Sequence, residues 1–94
     1  MSVAEVIRRK LDTGLQPERL DVVDESDKHK GHAGHRPGGE THFRLVIVAT
    51  GFAGKTRVER QRMVTSLLKE EMGNPIHALS MQVMTPEEAA SRSE

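Results

Sequence analysis

A chain of 94 residues makes one domain, because domains usually run to roughly 100–150 residues and a shorter chain cannot divide its core. Its 14 basic residues balance 14 acidic ones, so the formal net charge is zero, which argues against attraction to nucleic acid by bulk charge but not against a local basic face. With no Cys, Trp or Tyr, disulfides, thiolate nucleophiles and cysteine-built zinc sites are excluded, and only Phe43 and Phe52 remain to stack on bases.

The N-terminal segment MSVAEVIRRKLD has charges every few residues and no apolar stretch of the signal-peptide kind. No apolar run approaches the ~20 residues of a membrane span, so a soluble, cytoplasmic protein without membrane association is expected. Ser2 with Glu5 forms a capping-box pattern that opens a helix over residues 2–13, with Val3, Val6, Ile7 and Leu11 at helical spacing and Gly14 as a stop. After Pro17, Leu20, Val22 and Val23 mark a short strand over Arg19–Glu25.

The next stretch, SDKHKGHAGHRPGGE (26–40), has one Ala as its only apolar side chain and predicts a mobile loop. THFRLVIVA (41–49) is the strongest strand signal in the chain. Phe43, Leu45, Ile47 and Ala49 share one face, while Val46 and Val48 on the other suggest that a helix covers part of that side. Gly51–Gly54 predict a turn, and Thr56 with Glu59 repeats the capping box ahead of a second helix. Its stripe runs through Val64, Leu67, Leu68 and Met72, with Met63 at the margin, until Gly73, Asn74 and Pro75 stop it. Leu79, Met81 and Val83 alternate in a last strand over about 76–84, and the polar tail from Pro86, residues 86–94, is expected to fray.

The order α-β-β-α-β predicts an α+β domain over residues 1–94 with its core at about 3–88. The first two strands pair antiparallel around the long loop. A right-handed crossover then brings the last strand in parallel to the second. The result is a three-stranded mixed sheet with helices packed on one face.

Three groups of residues carry candidate chemistry. ATGFAGKT (Ala49–Thr56) follows a strand, opens a helix and loosely matches a phosphate-binding loop. Too little chain follows for a nucleotide hydrolase sheet, and no strand ending in Asp follows to hold magnesium, so Thr56 reads as a plain helix cap. His29, His32 and His35 recur every third residue, a spacing able to wrap a metal, while a Gly-rich loop that merely carries polar residues is the alternative. His42 reads as structural or exposed. His77, at the start of the last strand, either projects from the sheet edge or shares the half-buried side of Leu79. Lys55, Arg57, Arg60 and Arg62 cluster in the first turns of the second helix, placed either to meet DNA phosphates or to form a solvated face beside Glu59. No acid–base pair and no nucleophile pattern appears, so a binding protein is expected, not an enzyme.

Four motifs in order then resemble the BolA family over roughly residues 3–88: VVDES (22–26), GGETHFRLVIV (38–48), FAGKTRVERQRMV (52–64) and NPIHALSMQVMTPEE (74–88). The resemblance implies a class II KH-like αββαβ domain. It further implies pairing with a monothiol glutaredoxin and a shared, glutathione-containing 2Fe–2S cluster, with no cluster expected in the isolated protein. Carried over, the ligands are His77 and His29, with His32 or His35 as the alternative loop ligand. The same resemblance implies a second role, a DNA-binding regulator of cell morphology and stress response acting through Lys55, Arg57, Arg60 and Arg62. This chain departs from the family pattern in having Gln61 where histidine is common and Ala89 where tryptophan is often found.

Overall fold

The computed structural model describes residues 2–25, 42–73 and 75–91, so the histidine-rich segment lies outside the described residues. Helix α1 (Val3–Leu15) starts on the expected capping box, in which Ser2 Oγ accepts from the Glu5 N–H at 3.1 Å and the Glu5 carboxylate accepts from the Ser2 N–H at 2.8 Å. It runs past Gly14 and ends at Gln16, which adopts the left-handed conformation at φ 48°. Gly14 therefore serves another purpose than a stop. A Cβ there would lie 2.6 Å from the Leu67 methyls, so glycine lets α1 approach the second helix closely.

Strands β1 (Arg19–Asp24), β2 (His42–Val48) and β3 (Ala78–Met84) form a sheet in that order, β1 antiparallel and β3 parallel to β2. This is the mixed sheet expected from the α-β-β-α-β order. Between β2 and β3, a short 3₁₀ turn (Thr50–Phe52) leads to helix α2 (Arg57–Leu67). The helix ends sooner than its apolar stripe, because the chain continues beyond Leu68 as turns. The N–H groups of Glu71 and Met72 still bond to the Leu68 carbonyl at 2.9 and 3.0 Å, so the helical spacing outlasts the helix itself. Gly73 then takes φ 91°, which a side chain would disfavour.

The core lies between the sheet and these two helices. Ile7 and Leu11 of α1, Phe43, Leu45 and Ile47 of β2, Phe52, and Val64 and Leu68 of the α2 region are buried against each other. Burial of each large apolar side chain contributes on the order of 1.5–3 kcal/mol. Lys10 ties α1 to the turn after α2 through Glu70 and Glu71, each at 2.8 Å.

The tail corrects two expectations at once. Pro86–Ser91 form a third helix, α3, where fraying was expected, and it packs on the sheet face opposite α1 and α2. Its Ala89 rests on Val46, Val48 and Met84, so the helices are not confined to one face. Those valines anticipated such a cover; without it they would stand in water. Thr85 Oγ1 accepts from the Glu88 N–H at 3.2 Å, and the Glu88 carboxylate accepts from the Thr85 N–H at 3.0 Å. Pro86 thus occupies the first helical position, where its missing N–H costs nothing and its fixed φ suits the helix.

Candidate functional site

Residues that could carry chemistry gather at opposite ends of the parallel β2–β3 pair. At the N-terminal end, His42 pairs in register with Ala78, so His77 comes just before the strand and beside the start of β2. The Glu25 N–H bonds to the His42 carbonyl at 2.8 Å, which fixes where the chain leaves β1 and returns to β2. The segment bearing His29, His32 and His35 therefore begins and ends at the same end of the sheet as His77. Ile76 is fully buried, and its backbone bonds to Glu71 and Gly73 at 3.0 and 2.7 Å, so the residue preceding His77 is anchored.

His77 itself is exposed. The half-buried reading drawn from its parity with Leu79 fails because β3 starts one residue later, at Ala78. His42 is half-buried. Among the described residues, no group of three His, Asp or Glu side chains is placed to hold a metal ion. These residues do not encircle a metal by themselves. An exposed imidazole on an anchored rim does fit the part of one ligand to a group shared with a second molecule.

At the C-terminal end, the ATGFAGKT segment is a helix start and nothing more. Thr56 caps α2, its Oγ1 accepting from the Glu59 N–H at 3.1 Å, while the Glu59 carboxylate accepts from the Thr56 N–H at 2.7 Å. That backbone hydrogen bond holds the Glu59 carboxyl below its ordinary pKa. A carboxylate already occupies the place a phosphate would take, so the loose loop match carries no site.

The four cations of this region separate into two kinds. Lys55, Arg57 and Arg62 are exposed, and none forms an ion pair among the described residues. Arg60 is only 9% exposed and is fully engaged by the fold. Its Nε donates to the Lys55 carbonyl at 3.1 Å, and Nη1 to the Val83 carbonyl at 3.1 Å. Its two Nη groups grip both Glu88 oxygens at 2.6 and 3.1 Å, and the guanidinium stands 5.8 Å over the Phe52 ring. Arg60 and the Thr85 N–H together push the Glu88 carboxyl down to a pKa of about 2. Arg60 is therefore withdrawn from the expected nucleic-acid contacts; it clamps α2 to β3 and α3. The sequence contained a signal for this, since Arg60 lies four residues before Val64 on the buried stripe of α2. Around the clamp, Lys55, Arg57, Met84, Glu87 and Ser91 line an open cleft of about 740 Å³.

Comparison with known proteins now places the chain. A sequence model of the family described as BolA-like protein matches residues 11–88. The chain belongs to the BolA-like family. Human BolA-like protein 1 is 45% identical over 84 residues, which are 89% of this chain but 58% of the human protein. The chain is also 35% identical over 94 residues to the DNA-binding transcriptional regulator BolA of Haemophilus influenzae, covering 100% of this chain and 87% of that one. Among solved structures, the BolA domain of SufE1 from Arabidopsis thaliana superposes with a TM-score of 0.82 at 43% identity, covering 94% of this chain and 96% of that domain. The chain therefore has the BolA fold, the α+β domain with a three-stranded mixed sheet expected from its element order. No helix among the described residues is long and apolar enough to cross a membrane.

Proposed function

We propose that this BolA-like chain is a binding protein that pairs with a monothiol glutaredoxin and lends histidine ligands to a shared 2Fe–2S cluster, in iron–sulfur trafficking or iron sensing. The observation that carries the reading is exposed His77, anchored at the end of the sheet where the segment with His29, His32 and His35 begins and ends. The chain has no cysteine, so thiolates for such a cluster come from the partner and from glutathione. When bound, the cluster supplies redox and iron-sensing chemistry; this chain's part is to present imidazoles on a fixed rim. His29 is the favoured loop ligand, with His32 and His35 as alternatives.

Mixing the protein with a cluster-loaded glutaredoxin should change the visible spectrum of the cluster. His77→Ala should abolish that change, and single replacements of His29, His32 and His35 should identify the loop ligand. An unchanged spectrum with the native chain would overturn the reading. The cytoplasm, with its reducing poise, is the compartment proposed for this role.

A second reading is favoured by the name of the Haemophilus relative and by three exposed cations, Lys55 just before α2 and Arg57 and Arg62 on it. DNA would meet Lys55, Arg57 and Arg62, with Arg60 supporting the helix from within. Affinity should then fall with salt, and each cation removed should reduce the slope of log K against log salt by about 0.9 if it neutralises one phosphate. Equal affinity for unrelated duplexes would exclude a regulator.

A further inference from the structure

The two outer strands of the sheet are treated in opposite ways. β1 carries Arg19, Asp21 and Asp24, with Arg19 and Asp21 paired at 2.7 Å, and such charges discourage another strand from adding. β3, ALSMQVM, has no charge in seven residues and no proline.

Its backbone polarity can be assigned from two hydrogen bonds. The Met84 carbonyl accepts from the Ala49 N–H at 2.9 Å, so it faces β2. The Val83 carbonyl accepts from Arg60 at 3.1 Å on the opposite side. Strand geometry repeats every two residues, so the N–H and C=O groups of Leu79 and Met81 point outward with Val83. Arg60 closes this edge at Val83. The stretch around Leu79 and Met81 stays open among the described residues, because β3 ends the sheet.

Beside the open edge runs a groove of about 550 Å³ between β3 and α2. Its α2 wall presents Val58, 53% exposed and apolar, next to Arg62. Lys55 and Arg57 continue the positive side toward the end of β3, in the adjoining cleft.

We infer that β3 accepts an extended, acidic peptide segment of a partner protein by strand addition, with the apolar side chains of the segment on Val58 and its carboxylates on Arg62 and Arg57. This site is independent of the histidines. The occupant is not a second copy of this chain, because a two-fold pairing sets each patch against itself and would oppose the α2 cations with their own copies. It is not a single nucleic-acid strand lying along β3 either. Paired outward N–H and C=O groups at a two-residue repeat match another peptide backbone. The stacking that holds single strands has no platform here, since Phe43 and Phe52 are 2% and 0% exposed.

The test is a titration of the ¹⁵N-labelled protein with an acetylated, amidated octapeptide, Thr-Glu-Thr-Val repeated twice, whose Glu and Val side chains share one face of an extended strand, followed by amide shifts and hydrogen exchange. The Leu79 and Met81 amides should shift and exchange at least tenfold more slowly at saturation. Binding should weaken at least tenfold when the peptide is N-methylated on alternate residues, a change that leaves the protein untouched. Arg57→Glu with Arg62→Glu should weaken it similarly, while a Lys–Val peptide should not compete. The inference is overturned if the shifts fall elsewhere, if N-methylation has no effect, if oligo-dT displaces the acidic peptide from these amides, or if sedimentation shows the chain pairing with itself through β3.

Discussion

Replacing Arg60 by Met separates a structural arginine from a DNA-contacting one. Methionine keeps the apolar stem but removes every donor. The buried Val83 carbonyl would lose its 3.1 Å bond, and an unpaired buried acceptor costs about 1–3 kcal/mol. The partly buried bond to the Lys55 carbonyl adds about 0.5–1.5 kcal/mol. The ion pair to Glu88 adds little more, because that side chain is 47% exposed and water screens it. The expected loss is therefore about 3 kcal/mol. With a urea slope near ~1 kcal/mol/M for a small domain, the unfolding midpoint should fall by roughly 2–3 M. Far-ultraviolet circular dichroism suits the measurement, since the chain has no Trp or Tyr. Arg57→Ala and Arg62→Ala, at exposed positions, should stay within about 0.5 kcal/mol of the native chain. If Arg60→Met unfolded at the native midpoint and lost only DNA affinity, the clamp would be wrong and Arg60 would belong with the exposed cations.

The Glu88 carboxyl, lowered from 4.5 to about 2, stabilises the fold fully above its unfolded pKa, and the contribution disappears as pH falls from 4.5 through 2. Urea midpoints measured across that window should fall less steeply for Glu88→Gln than for the native chain; parallel curves would refute the pairing. A residual slope is expected from Glu5, Glu59 and Glu70, whose carboxyls are also lowered by hydrogen bonds. Thr85→Ala removes the cap of α3 and should cost about 1 kcal/mol. Hydrogen exchange should then speed up selectively along α3, and unchanged exchange there would show that the cap does not hold the helix.

What could be read in the sequence depended on how local its cause was. The boxes at Ser2 and Glu5 and at Thr56 and Glu59 are complete within four residues, and both helices start where those residues say. Thr85 and Glu88 carry the same signal, masked in the sequence by Pro86, which reads as a breaker everywhere but at a first helical position. The sheet pairing followed from the alternation in β2 and from the handed crossover, which are rules of topology and need no particular side chain. The fate of Arg60 was only half visible. Its phase with Val64 put it on the buried stripe, but its acceptors on β3 and α3 lie 23 and 28 residues away, on elements whose approach spacing does not show. Gly14 misled for a related reason, since a glycine near a helix end looks the same whether it stops the helix or admits a neighbour such as Leu67.

The placement of the candidate residues also bears on whether cluster and DNA roles compete. β2 and β3 run parallel, with His42 and His77 at one end and the start of α2 with Lys55 and Arg57 near the other. Seven-residue strands rising ~3.3 Å per residue separate the two ends by about 20 Å. A partner holding His77 and a duplex on Lys55 and Arg57 would therefore not contend for the same atoms; Arg62 is nearer, beside Leu79 and Ser80 in the groove of β3 and α2. Competition would have to come from the bulk of the partner or from the field of its charges, and screening at physiological salt, about 8 Å, leaves little of that field at such a distance. The clamp of Arg60 does not connect the two ends: it joins α2 to the last residues of β3 and to α3, all on the α2 side. Among the described residues the elements that reach both ends are the strands and α2, and their inward side chains are close-packed in one core, which leaves little slack through which one site could sense the other. Independent occupancy of His77 and of Lys55 with Arg57 is thus what this fold favours, and mutual exclusion would require a partner that spans the sheet or reaches Arg62.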